Sequence, residues 1–299
     1  MISVWALSPA VDVTYELDAL VPGEINRPSR TTTVAGGKAL NAARAARALG
    51  AEVHVTVALG GLSGERVRRW LEADGVAATV VEIAAETRTC LSLVEAAGGA
   101  TSTDVYESAA RIDAQEWARF AEAVRAATPS RWLAVSGSIP AGVPLDDFAR
   151  VLIDARSRGT RIAIDTAGAA LAHLAEHADL IKVNRAEVAE LVGREMVDAA
   201  AACEALRERF GVDAVVTDGV RGGVARVGSE VRVLDAPQVV GRYPAGSGDS
   251  FFGGLLHGFD TGVPLGEALA MARDAAERNA LVPGQGVLAS VAGSPARDS

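Results

Sequence analysis

The sequence predicts an α/β fold: an open, mostly parallel central sheet with helices on both faces, carrying a second, small β-sheet. Three observations point there. Short, almost continuously apolar runs recur along the 299 residues, as strands covered on both faces require. Ala-rich amphipathic stretches fall between them and give a βαβα alternation. Two further regions, 12–34 and 87–107, break this rhythm and alternate polar with apolar residues, the period of antiparallel strands with one face in water.

In chain order, the apolar runs predict strands over residues 2–7, 53–59, 132–136, 161–165, 180–183 and 214–217. The amphipathic stretches predict helices over 38–49, 65–73, 114–127, 145–157 and 198–210. The segment Thr89-Cys90-Leu91-Ser92-Leu93-Val94-Glu95 shows the alternation of the two exceptional regions. These regions are expected to form a small sheet projecting from the main body, as a lid or as a dimer surface. An α/β layer structure of this length needs no split, so a single domain over 1–299 is expected. The last dozen residues, ending Ser294-Pro295-Ala296-Arg297-Asp298-Ser299, read as a frayed tail.

Apolar residues make up 49% of the chain, enough for a sizeable core, and the charged fraction of 22% is ordinary for a globular protein. A net charge of −9 argues against broad binding to nucleic acid or anionic membrane. A few placed cations can still hold one phosphate. Cys90 and Cys203 lie far apart without metal-ligand spacing and read as reduced thiols. The start, Met1-Ile2-Ser3-Val4-Trp5, lacks the basic and apolar parts of a signal peptide. No apolar stretch reaches the roughly 20 residues of a transmembrane helix. The cytoplasm is the expected compartment.

Pro244-Ala245-Gly246-Ser247-Gly248-Asp249-Ser250 precedes an apolar, small-residue helix candidate beginning Phe251-Phe252-Gly253-Gly254. Small residues allow a tight turn whose N–H groups point at one spot, and a helix N-terminus adds partial positive charge there. Such a cradle can stabilise charge on a transferred phosphoryl group, with Asp249 beside it to accept a hydroxyl proton. The same residues also fit an ordinary loop in which Asp or Ser caps the helix. Neither a Walker A sequence nor Gly-x-Gly-x-x-Gly is present, so a P-loop or dinucleotide site lacks its signature.

Four segments in one order bear on that choice. Ala35-Gly36-Gly37-Lys38-Ala39-Leu40-Asn41 and residues 244–250 resemble the paired signatures of the ribokinase-like (PfkB) sugar kinases. Between them, Val135-Ser136-Gly137-Ser138-Ile139-Pro140 and Lys182-Val183-Asn184-Arg185-Ala186-Glu187 match further family segments. The resemblance covers residues 2–290. It implies a ribokinase-like three-layer α/β/α fold with a β lid, and ATP and Mg²⁺ as cofactors. It implies Asp249 as catalytic base and Gly246, Ser247 and Gly248 as an anion hole. Asn184 and Glu187 match the family's Asn-x-x-Glu segment, headed here by Lys182, which positions phosphate and Mg²⁺, the latter through water at Glu187. Thr217, Gly219 and Gly222 match its Thr-x-Gly-x-x-Gly nucleotide segment. Thr217 alone also reads as a strand-end turn residue.

The resemblance is closest to the phosphosugar branch, that of 1-phosphofructokinase and tagatose-6-phosphate kinase. It rests on Ser8-Pro9-Ala10-Val11-Asp12, Pro22-Gly23-Glu24-Ile25-Asn26-Arg27, Gly36-Gly37-Lys38 and Thr87-Arg88-Thr89-Cys90. It implies that Asp12 binds sugar hydroxyls, that Gly36 and Gly37 let the sugar approach the backbone, and that Asn41 donates and accepts. Arg27, Lys38 and Arg88 are then the candidates for the substrate's own phosphate, and Ser138 is a further substrate contact. Arg27 would come from a partner subunit if the lid forms a homodimer. Each cation also reads as a solvated surface charge, and Ser138 as a plain turn residue. The implied acceptor is a sugar phosphate of the fructose-1-phosphate, tagatose-6-phosphate or fructose-6-phosphate type.

Four positions depart from the family pattern. Tyr243 stands where a small polar or charged residue is usual, Val183 where proline is, Ala39 where glycine is common and Asp218 where an apolar residue is. Asp165-Thr166-Ala167-Gly168 after a strand reads only as a loop lining the cleft. His173-Leu174-Ala175-Glu176-His177 has the spacing of an inverted zinc-protease segment with both histidines on one helix face; exposed helix histidines are the simpler account. Two rival functions remain: a kinase for an unphosphorylated sugar or nucleoside, and a non-catalytic sugar-binding regulator on the same fold. Asp249 within a whole turn segment argues against the second.

Overall fold

The computed structural model describes residues 1–96, 99 and 101–290. Residues 291–299, most of the expected tail, lie outside them. The chain opens with β1 (Ile2–Ala6), β2 (Ala10–Leu17), β3 (Arg30–Gly36), α1 (Lys38–Ala48), β4 (Val53–Leu59), α2 (Gly61–Ala73) and β5 (Ala77–Glu82). It continues through β6 (Arg88–Glu95), β7 (Thr103–Tyr106), α3 (Ala114–Ala126), β8 (Trp132–Ser136), α4 (Leu145–Ser157), β9 (Arg161–Asp165) and α5 (Gly168–Leu174). The last part holds β10 (Leu180–Asn184), α6 (Arg185–Val192), α7 (Ala199–Phe210), β11 (Asp213–Thr217), β12 (Gly223–Val227), β13 (Glu230–Leu234), α8 (Ser247–Thr261) and α9 (Leu265–Ala280).

Nine strands form the central sheet in the order β13-β12-β11-β10-β9-β8-β1-β4-β5. Every pairing from β11 to β5 is parallel, and β12 and β13 join as an antiparallel hairpin. Because side chains alternate along a strand, each strand feeds two cores. Trp5 and Leu7 point to a core shared with α3–α7, where Trp5 meets Phe120 and Phe148 edge-on. Ile2, Val4 and Ala6 point to a second core shared with α1, α2, α8 and α9. That is the three-layer α/β/α fold the alternation predicts. Among the described residues no helix is long and apolar enough to cross a membrane.

Helix α2 starts at Gly61, four residues before the expected 65. Glycine-rich Gly60-Gly61 discourages a helix locally, but a distant carboxylate caps it: Glu86 Oε1 accepts from the Ser63 N–H at 2.6 Å. The smaller sheet, β3-β2-β6-β7, corrects the expectation of purely antiparallel strands with one wet face. β2 pairs antiparallel with β3 and β6 with β7, but β2 and β6 run parallel. Val11 and Val13 on one face of β2 join the core with Val67 and Leu71 of α2. Asp12, Thr14 and Ser92 on the other face are buried as well. The segment after α9 reaches this face, with Gln285 Nε2 donating to Ser92 Oγ at 3.0 Å.

Helix α8 sits between α1 and α9 on a stripe of glycines. A Cβ at Gly253 would lie 2.4 Å from Ala42 O and 3.0 Å from Ala46 N of α1, and one at Gly258 would lie 2.6 Å from Ala268 of α9. The Gly253→Ala variant must push α1 and α8 apart. It is expected to cost about 1–3 kcal/mol, read as a lower midpoint in urea unfolding at unchanged slope. An unshifted midpoint would show that the two helices have room for the methyl group.

Candidate active site

Four parallel strands end at one edge of the central sheet, and the polar residues gather there. Ser136 ends β8, Asp165 ends β9, Asn184 ends β10 and Thr217 ends β11. Open α/β sheets bind ligands outside these carboxyl ends. The turn 244–250 faces the same edge. Gly246 is the N-cap of α8 with φ 82°, and a Cβ there would lie 2.7 Å from Gln285 Cβ, so only glycine fits. The Ser247 N–H donates to Pro244 O at 3.1 Å and the Ser250 N–H to Gly246 O at 2.8 Å. The N–H groups of Gly246, Gly248 and Asp249 find no acceptor among the described residues. Of the three residues expected to form an anion hole, Ser247 thus spends its amide inside the turn, while Gly246 and Gly248 keep theirs.

Asp249 lies in the first turn of α8, buried. Asn41 Nδ2 donates to its Oδ2 at 3.0 Å and also reaches Asp12 Oδ2 at 3.3 Å. The Gly37 N–H donates to the same Asp12 oxygen at 3.2 Å. A Cβ on Gly36 would fall 2.0 Å from Asp12 Cγ, so the bare backbone of β3 is what leaves this carboxylate its place. Burial pushes the Asp249 pKa up to about 7; Lys38 opposes the rise and Asp165 adds to it. Burial likewise raises Asp12, against hydrogen bonds from Gly37 and Asn41.

Asp165, which sequence reasoning reduced to cleft lining, is a fully buried hub. Lys182 Nζ lies 3.0 Å from its Oδ2 and Lys38 Nζ 3.5 Å from its Oδ1. Burial alone would raise its pKa, but the two ammonium groups overcome it and hold the carboxyl below its ordinary value. Lys38 is raised in turn, chiefly by Asp165, with Asp249 and Glu187 adding to it. Lys182 Nζ sits 3.3 Å from where a Cβ of Gly248 would be, against the turn itself. Asn184 and Glu187 form a capping box at the start of α6, and Glu187 Oε1 lies 3.5 Å from Lys38 Nζ.

A cleft of about 490 Å³ runs outward from Ser247 and Gly248, lined on one side by Thr217, Gly219 and Gly222. Its far wall is apolar and includes Val233, Val240 and Leu269, residues that sequence reasoning missed. Nothing in the sequence marks them, because they belong to β13, a loop and α9 and meet only in the fold. Gly222 (φ 82°) lets the hairpin close over the cleft, since a Cβ there would lie 2.0 Å from Leu234 O. Asp218, in an unusual place for a charge, ties the loop after β11 to Arg185 and Arg221 at 3.0 and 2.8 Å. These guanidinium groups hold its pKa down to about 2.

The remaining candidates divide. Arg88 donates from Nη2 to Ser8 O and from Nη1 to Glu107 O, both at 3.0 Å. Its buried Nε finds no partner among the described residues. A Cβ on Gly137 would touch both Ser8 Oγ (3.1 Å) and Lys38 Cβ (3.6 Å), so Arg88, Ser8, Lys38 and the turn bearing Ser138 share one corner. Ser138 is exposed there. Arg27 is not brought in: it lies exposed in the loop between β2 and β3, without a hydrogen bond or ion pair among the described residues. Burial, and then the Glu16 carboxylate of β2 nearby, raise the pKa of Tyr243. The two histidines do not share a helix, since α5 ends at Leu174. His173 and His177 instead face Asp146 and Glu176 at 3.0 and 3.6 Å.

A sequence model described as pfkB family carbohydrate kinase matches residues 5–288. Among solved structures, phosphofructokinase-2 from Escherichia coli in complex with substrates and products superposes with a TM-score of 0.88 at 24% identity, over 97% of this chain and 95% of that one. A protein from Thermotoga maritima described as a possible 1-phosphofructokinase gives 0.79 at 19% identity, over 93% and 91%. At these identities the likeness establishes the ribokinase-like fold.

If Asp249 must be ionised for turnover, kcat/KM of the free enzyme should climb as pH rises through about 7. Lys38→Met removes the cation that lowers this pKa and should move the acidic limb to higher pH. A limb near the ordinary carboxylate range in the unaltered enzyme would exclude Asp249 as the titrating group.

Proposed function

The chain belongs to the pfkB family of carbohydrate kinases, and from that premise we propose that it transfers the γ-phosphoryl group of ATP to a hydroxyl of a sugar phosphate. The observation that carries this reading is a buried carboxylate, pushed up to about pH 7, in the first helical turn beside free backbone N–H groups. A base poised near neutrality can take a hydroxyl proton as the oxygen attacks. The Gly246 and Gly248 amides and the helix N-terminus stabilise charge on the transferred group. Lys182 and Lys38 supply further positive charge beside them.

ATP fits the cleft that leaves this turn, with phosphates at Ser247 and Gly248 and its base against the apolar wall. Among the described residues no group of three or more His, Cys, Asp or Glu could hold a metal ion. Mg²⁺ needs no such cage, because it keeps waters and takes other ligands from phosphates. Glu187 suits a contact through water: its Oε2 accepts from the Asn184 N–H and its Oε1 faces Lys38. When bound, Mg²⁺ would neutralise charge on the phosphates.

Asp12 and Asn41 would hold sugar hydroxyls next to Asp249, with Gly36 and Gly37 open to the ring. The substrate's own phosphate would occupy the corner of Arg88, Lys38 and Ser138, a placement supported by their convergence on Ser8. We take 1–299 as one kinase domain whose smaller sheet closes as a lid and excludes water. The exposed apolar residues Val105 and Tyr106 on β7, with Val21 and Ile25 in the loop between β2 and β3, support a homodimer there, which would bring in Arg27 from the second copy.

A screen of ATP consumption over fructose-1-phosphate, fructose-6-phosphate, tagatose-6-phosphate, free hexoses, ribose and nucleosides should single out a hexose phosphate. With that substrate, Asp249→Asn should lower kcat by about 10²–10⁴-fold with KM little changed. Arg88→Glu should raise KM for the phosphorylated sugar at least about tenfold, as loss and reversal of a charged hydrogen-bond donor implies. Turnover of a free sugar with Arg88→Glu unaffected would replace this reading by the unphosphorylated acceptor. Sugar-phosphate binding without any ATP turnover would replace it by a regulator.

A further inference from the structure

Asn279, in the last turn of α9, is fully buried and itself carries no role in the reading above. Its carboxamide nevertheless makes five hydrogen bonds around the turn that carries Asp249. Nδ2 donates to Ala245 O at 2.9 Å, to Ser247 Oγ at 3.3 Å and to Tyr243 O at 3.4 Å. Oδ1 accepts from the Gly286 N–H at 2.7 Å and from Ser250 Oγ at 3.1 Å. Gly286 follows Gln285, the residue packed against Gly246.

Three oxygens therefore converge on one amide nitrogen. Two are carbonyls, a third is a hydroxyl, and their lone pairs repel unless something electropositive sits between them. Oxygens gathered in this way are also what a dehydrated K⁺ accepts in place of water. The nitrogen of Asn279 fills that point with two polarised N–H bonds and no net charge. Its other end holds the first turn of α8 and the Gly286 backbone, so one side chain fixes both sides of the cradle.

We propose that Asn279 is a positioning residue whose carboxamide does from inside the fold what a bound monovalent cation would do, holding turn 243–250 in the shape that aims the Gly248 amide and Asp249. Turnover then needs no such cation. This rests on the kinase reading above. Removing the amide leaves an oxygen-lined nest that K⁺ can enter, which a side chain serving only to fill space would not.

The test compares wild type and Asn279→Ala in potassium chloride and in choline chloride at equal ionic strength. Wild-type kcat should agree within about twofold between the salts. Asn279→Ala should lose about 10²-fold in kcat in choline, as a misaimed reacting group does, with KM for ATP nearly unchanged, and regain at least about tenfold in potassium. Wild-type activation by K⁺ overturns the proposal without any variant. So does an Asn279→Ala enzyme that keeps its kcat, or one whose loss K⁺ does not restore. Asn279→Ser takes its place if the alanine variant does not fold. Absence of phosphoryl transfer by the wild type is a failure of the kinase reading alone. The comparison then moves to the rise in Tm given by inorganic phosphate, expected for wild type in both salts and for the variant in potassium only; equal rises in all four cases would sink it.

Discussion

Helices α1 and α8 approach until a glycine on one meets backbone on the other, and the site depends on that contact. Gly253 against Ala42 and Ala46 brings the N-terminal halves of both helices close enough for Asn41 to donate to Asp249. The same amide nitrogen reaches Asp12 on β2. Residues 12, 41 and 249 are thus registered by one short polar link, with apolar residues packed behind it. Close packing is what makes such a link specific, since an interior this dense has few alternative arrangements.

The electrostatics follow from burial. Asp165 and Asp249 are both enclosed, yet their pKa values move in opposite directions. Asp165 has two ammonium groups at contact distance and stays ionised. Asp249 has an amide at contact distance, with Lys38 opposing its rise and Asp165 adding to it. Two carboxylates separated in this way suit two tasks, one as a fixed counter-charge and one as a group that exchanges a proton. The fixed one also favours the charged form of Lys38.

Much of this was legible in the sequence, for identifiable reasons. Parallel strands buried on both faces read as apolar runs, and β1, β4, β8, β9, β10 and β11 all appeared as such. Helices α1, α3, α4 and α7 carried clear amphipathic periods. What stayed hidden depended on distant partners. β5 and β13 are exposed along much of their length, and β12 is short and interrupted by Arg226, so all three lack the apolar run. The early start of α2 needs Glu86 from another segment. In the smaller sheet, parallel pairing of β2 with β6 cannot be seen in alternation, which is the same for either direction. Asp165 looked like a loop residue because its meaning lies in Lys38 and Lys182, far away in sequence. The cleft wall was invisible for the same reason. Conversely, Gly36, Gly37, Gly246 and Gly222 could be read early, because a bare backbone under a carboxylate, a glutamine or a carbonyl leaves its mark in the sequence.

The segment after α9 sets an order of events in folding. Gln285 closes on Gly246 and Ser92, its carbonyl accepts from Arg44 Nη1 at 2.7 Å, and Gly286 joins Asn279. These links span up to 241 residues of sequence, so they form only after nearly all of the sheet has been made. A chain emerging from the ribosome can fold its N-terminal strands and helices early, as local contacts allow. It cannot shape the cradle until residue 286 has arrived. Assembly order thus leaves the cradle unshaped on a half-made sheet, and the last clasp to close is the one that holds Gly246 and Asn279 in place.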